Sequence, residues 1–219
     1  MNLIFRRETI FIVLIFFILI FFFNKSINTL LHVFDGGHHG SILLESLDII
    51  NNKIPYKEIF LQYGYLSALI NSFFLKIFNK NIIGIYYSTS FFYFSSIFLI
   101  GLISWKFSNY KAFIFSIIIC VFNHPIPQYP WPNYSAFFFL TISVFLFDNS
   151  NIKLFFTGFF LAIACLCREN FYYFVIPSLI CINFFLYIYN KQKIKNLYLC
   201  IGFLLPLLFF LSYLNIYSI

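Results

Sequence analysis

What this chain lacks is charge. Asp, Glu, Lys and Arg make up only 10% of it, against 62% apolar residues, and its mean hydropathy is +0.89. Soluble domains carry roughly 25% charged residues. The shortfall leaves too little polar surface to cover a water-soluble globule of 219 residues. The chain is therefore read as a polytopic integral membrane protein, with the membrane as its surroundings and no nucleic-acid partner. It also lacks cysteines at metal or disulfide spacing. Cys165 and Cys167 are too close for a metal-type pair, and Cys120, Cys181 and Cys200 lie, like them, inside apolar runs. All five read as small buried hydrophobes. No small-residue cleavage site follows the first apolar run, residues 10–23, which Arg6 and Arg7 precede and Asn24-Lys25-Ser26 follow. That run is expected to be an uncleaved transmembrane helix.

Apolar runs in lipid must satisfy their backbone internally, so they are read as helices. Spans are expected near 8–23, 82–104, 111–123, 134–147, 153–167, 171–189 and 197–217. Several fall short of the ~20 residues a full crossing needs, and extend into flanking Tyr, Trp and Asn. Residues 59–78 read either as a further span or as an interfacial amphipathic helix with Phe60, Tyr63, Leu66, Ile70, Phe73, Phe74 and Ile77 on one side. The positive-inside rule favours the second. Arg6, Arg7, Lys106, Lys111, Lys153, Lys191, Lys193 and Lys195 then share the inner side. If 59–78 spanned, the Lys106/Lys111 and Lys191–Lys195 clusters would move outside. The expected fold is an all-α membrane domain, 1–219, with about seven transmembrane helices. Its N-terminus lies inside, and two juxtamembrane helices lie in a large outer loop, 24–81. The first of these helices, about 40–52, would present Ile42, Leu43, Leu47 and Ile50 to the bilayer, with Glu45 and Asp48 pointing elsewhere. Asn51 to Pro55 would end it.

No acid, base or imidazole stands in the middle of any expected span. Ion-coupled transporters place such groups near the midplane. Chemistry is therefore expected at the outer end, where three segments can converge: the first loop, the Pro-rich loop from Asn123 to Asn133, and the turn Arg168-Glu169-Asn170. The densest polar segment is Phe34-Asp35-Gly36-Gly37-His38-His39-Gly40. Asp35 reads as the N-cap of a helix beginning near Gly36, or as a general base or metal ligand; the roles are compatible. His38 and His39 read as metal ligands, phosphate binders or neither. Arg168 reads as a snorkelling anchor, paired with Glu169, or as a bidentate phosphate grip. Tyr129, Trp131 and Tyr134 fit an interfacial aromatic belt, and can equally stack on a sugar.

The segment Phe34 to Gly40, a short helix, and then Asn52-Lys53-Ile54-Pro55-Tyr56-Lys57-Glu58-Ile59-Phe60-Leu61-Gln62-Tyr63-Gly64 with Leu66 resembles the first outer loop of GT-C membrane glycosyltransferases. This superfamily includes the protein O-mannosyltransferases and the aminoarabinose transferases. Thr157-Gly158 through Leu161-Ala162 to Cys167-Arg168-Glu169-Asn170 is similar to a second segment of that superfamily. The resemblance implies transfer of a sugar from a polyprenyl-phosphate-linked donor to a lipid or glycan acceptor, on the outer face of a bacterial inner membrane. Asp35 would be the catalytic carboxylate. His38, His39, Glu58, Gln62, Tyr63, Trp131 and Arg168 would contact substrate, Arg168 at the donor phosphate. A divalent metal, Mg or Mn, is the one cofactor implied, with Asp35 and His39 as its ligands. Many members carry a second acid in the next outer loop; here that loop has none, and His124 or Asn133 would stand in. Members are usually longer, so the chain is expected to correspond to their N-terminal part. The rival reading is a non-catalytic flippase or assembly partner in envelope polysaccharide synthesis, with Ser88, Thr89, Ser90, Ser95 and Ser96 lining a polar path.

Overall fold

The computed structural model describes residues 3–32, 37–127, 129–148, 150–190, 193–217 and 219. Among them every regular element is a helix and no strand occurs. In chain order these are α1 Leu3–His32, α2 His38–Ile50, α3 Tyr65–Ile77, α4 Ile83–Phe107, α5 Tyr110–Asn123, α6 Asn133–Leu146, α7 Asn151–Cys167, a 3-10 turn at Glu169–Phe171, α8 Tyr172–Asn190 and α9 Lys193–Ile216. Stretches at Ile10–His32, Ile83–Phe107 and Asn196–Ile216 are long and apolar enough to cross a membrane. Helices α3, α5, α6 and α7 are shorter and apolar. Large side chains such as Phe17, Phe21, Phe122 and Phe209 stand exposed on these helices. Apolar residues on all sides suit a helix in hydrocarbon and not one in water.

Chain reversals alternate between two ends. The α4–α5 and α6–α7 connections meet at one, where the Lys106 ammonium donates to the carbonyls of Phe145 and Phe147 at 2.8 and 3.0 Å. There the Asn109 side chain caps α5, accepting from the Lys111 and Ala112 amides at 3.0 and 3.1 Å. At the other end lie α2, α3, the α5–α6 connection, the Arg168 turn and the end of α9. Helix α3 packs on α2, α4 and α7, around a core of Ile42, Leu75 and Ile85.

Helices α7 and α9 make the closest pairing. A methyl group added at Gly158 would meet the Leu199 carbonyl, and one added at Gly202 would meet that of Phe155. Small residues facing each other let two backbones approach where lipid supplies no hydrophobic drive between helices. Gly158 belongs to the segment that carried the second resemblance, and helix crossing is its evident physical role.

Two expectations need correction. The first helix continues past residue 23 to His32, so the connection after it starts later than expected. Its polar residues are absorbed: Ser26 pairs with Ser90 of α4 at 2.8 Å, both fully buried, and the Thr29 hydroxyl returns to the Lys25 carbonyl at 2.9 Å. Residues 59–78 are not one helix; α3 begins at Tyr65. The chain ahead of it is a compact loop in which the Glu58 carboxylate accepts the Ile54 amide at 2.7 Å and Tyr56 takes a φ of 65°.

Candidate functional site

Helix α2 starts at His38, with Gly37 at the N-cap position and no side-chain cap from it. Asp35 itself lies outside the described residues, as do Phe34 and Gly36. The two histidines that follow point into an aromatic cluster. His38 is half-buried, its ring 6.1 Å from Tyr129 and 6.3 Å from Trp131. Tyr129 and Trp131 stack at 6.1 Å with 20° between their planes. His39 is fully enclosed, edge-on to Tyr86 of α4 at 5.7 Å and to Tyr129 at 6.2 Å. The first loop and the Pro-rich loop thus meet through these rings. Trp131 is 43% exposed, so the cluster keeps one open aromatic face.

The other half of the first loop meets the Arg168 turn. Gly64 lies directly on the end of α7, where an added methyl would sit 2.5 Å from the Cys167 carbonyl. Only glycine permits that approach. It sets the Tyr63 ring beneath the Arg168 guanidinium, 4.7 Å from its carbon. Arg168 therefore stacks on Tyr63, while the Glu169 carboxylate meets the Tyr56 hydroxyl at 3.5 Å. Burial, and then the nearby Glu169 charge, push the Tyr56 phenol well above its ordinary value of 10.0. The Ser135 hydroxyl near the start of α6 donates to the Pro132 carbonyl at 2.9 Å. The first loop thus meets both other segments, the Pro-rich loop through the histidines and the Arg168 turn through Tyr63 and Gly64, so all three are joined through it.

Of the remaining expected site residues, Glu58 is exposed and closes its own turn. The Gln62 backbone N–H donates to the Glu45 carboxylate at 2.9 Å. Gln62, Glu58, Glu45 and Asp48 border a groove of about 300 Å³ between α2 and the loop. Asp48 is engaged by Lys53 at 2.8 Å. Glu45 was expected to point away from the packed face; only 8% of it is exposed, because the loop at Ile59–Gln62 covers it. Burial raises its pKa above 4.5, with the Gln62 amide partly opposing the rise.

The described residues hold no group of three or more His, Cys, Asp or Glu that would bind a metal ion. Mg and Mn favour oxygen-rich ligand sets. His39, wedged between two tyrosine rings, brings ring nitrogens and no oxygen. Sequence reasoning missed Tyr86, Tyr65 and the Glu45–Gln62 link. Each pairs segments far apart in the chain, and no local pattern marks such a pair. No family model matches the chain, and no curated protein or solved structure matches it either.

Proposed function

We propose that this chain is the membrane domain, or the N-terminal part, of a GT-C-like glycosyltransferase. It would move a sugar from a polyprenyl-phosphate-linked donor to a lipid or glycan acceptor at the outer face of a bacterial inner membrane. The observation that carries this is the joining of three segments at one end of the bundle, with the Arg168 guanidinium carbon 4.7 Å over the Tyr63 ring. A guanidinium carries five N–H donors, which suit bidentate contact with a phosphate. On the lysine distribution, that end faces outward. Seven spans follow, with α2 and α3 at the surface.

In this reading Asp35 takes the proton of the acceptor hydroxyl, which is a weak nucleophile until a base does so. Arg168 neutralises the departing phosphate. Trp131 offers the acceptor an open aromatic face, with half-buried His38 beside it, and enclosed His39 fixes the start of α2. Tyr63 positions Arg168, while Glu58 and Gln62 shape the adjoining loop. A flippase or assembly role would call for a polar path through the bundle. Ser88, Thr89, Ser90 and Ser96 are instead buried and bonded to neighbours, Ser88 to Asn71 at 3.0 Å and Ser90 to Ser26 at 2.8 Å.

The deciding experiment follows labelled sugar from lipid-linked donors in membranes carrying either the wild-type chain or Asp35→Asn, with insertion checked in both. Loss of a base is expected to cost about 100-fold or more in transfer. Undiminished transfer by the variant removes Asp35 from its role.

A further inference from the structure

Beside the Arg168 turn lies a pocket that none of these roles uses. Its volume is about 270 Å³, and Tyr56, Tyr65, Tyr172, Phe210, Glu169 and Gly64 line it. Three of the rings form one continuous wall: Tyr65 and Phe210 are 5.3 Å apart, Tyr56 and Phe210 6.0 Å, and Tyr56 and Tyr65 6.3 Å. Glu169 and Tyr172 belong to the turn and to α8, and bring a carboxylate and a phenol to the same space. The contact between the Tyr56 hydroxyl and Glu169 is 3.5 Å, the long limit of a hydrogen bond. Glu169 is exposed and belongs to neither of the ion pairs that Lys53 and Lys153 form among the described residues.

We infer that this pocket is a pyranose subsite, with the Tyr56–Tyr65–Phe210 wall taking the apolar face of one sugar ring and Glu169 accepting from its hydroxyls. A pyranose has a face of C–H bonds, which suits the electron-rich face of an aromatic ring. Its rim of hydroxyls needs partners that both donate and accept, and here phenols and a carboxylate supply them. The volume lies below the range of drug-sized ligand sites, which matches one ring and not a long glycan. A phosphate is disfavoured by the carboxylate, and a purely apolar chain by the polar rim. The inference rests on the glycosyltransferase reading for its place in the reaction, as the site of an acceptor or donor sugar beside Arg168.

The test is saturation-transfer NMR on the full chain in lipid nanodiscs, without sugar-based detergent, using the methyl pyranosides of glucose, galactose, mannose and N-acetylglucosamine. At least one is expected to receive saturation on its ring protons. Phe210→Ala and Glu169→Ala are each expected to weaken that binding roughly tenfold, and Phe122→Ala, at an exposed ring on α5, to leave it unchanged. Glu169→Ala removes an exposed side chain, so it keeps the test valid if Phe210→Ala fails to fold. Absence of saturation for all four sugars overturns the inference, as does equal saturation in wild type and both pocket variants. Failure of the underlying reading looks different. Pocket-dependent binding in a chain whose transfer is indifferent to Asp35→Asn keeps the subsite and removes the enzyme. Asp35-dependent transfer without pyranoside binding does the reverse.

Discussion

Glu45 is a carboxylate that the fold buries. Its ionised form is penalised by burial, so the folded chain keeps the proton to a higher pH than the unfolded chain does. Between 4.5 and the raised folded value, the folded state binds more protons. Stability from this residue therefore falls as pH rises through that window, and levels off above it. Glu45→Gln keeps an acceptor for the Gln62 amide and removes the titration. The Tm advantage of the variant over wild type is expected to grow from about pH 4.5 upward, each kcal/mol reading as roughly 2–4 °C. A pH-independent difference would show that Glu45 does not titrate differently in the fold. The sequence marked Gln62 and Tyr63 but gave Glu45 the wrong surroundings. A helical wheel distinguishes an apolar side from a polar one, and it cannot foresee a loop folding back over the polar side.

At the scale of the element, most helices were legible because an apolar run in this composition has few alternatives. The expected start of the α4 helix near 82 and the end of the α7 helix near 167 agree with Ile83 and Cys167. The two departures have one kind of cause. Asn24 to Ser26 look like a helix end, yet a hydroxyl pair with α4 carries α1 through them. Phe60 to Tyr63 look helical by periodicity, yet Gly64 must lie against the end of α7. In both cases a partner from elsewhere in the chain overrides the local signal. The α7–α9 crossing is equally non-local and offers a direct test. Gly158→Ala is expected to cost about 1–3 kcal/mol by overpacking. Gly40→Ala is the control, since nothing lies within 4 Å of an added methyl there. Equal thermal stability of the two variants in detergent would mean that the crossing has slack.

For the molecule as a whole, the lysines report orientation. Lys53 and Lys76 are exposed at the end that carries α2 and α3, Lys111 and Lys153 at the opposite end. An amine-reactive reagent that cannot cross membranes, applied to intact spheroplasts, is expected to modify Lys53 and Lys76. It should reach Lys111 and Lys153 only after permeabilisation. The opposite pattern inverts the molecule and turns the candidate site toward the cytoplasm. The three joined segments were legible from the sequence as elements sharing one end. Which rings meet was not, because alternation of spans gives the end of a helix and not its rotation.

The clasp between α9 and the first loop has a consequence in time. The Tyr213 hydroxyl donates to the Pro55 carbonyl at 3.3 Å, and the Lys57 ammonium to the Tyr217 carbonyl at 3.1 Å. A ribosome releases Pro55 and Lys57 long before it has made Tyr213 and Tyr217, at about 5–20 residues per second. During that interval the loop has no clasp, and neither the Tyr65–Phe210 wall nor the seat beside Arg168 is complete. The pocket beside Arg168 is therefore assembled only as α9 settles, so its formation waits on insertion of that helix.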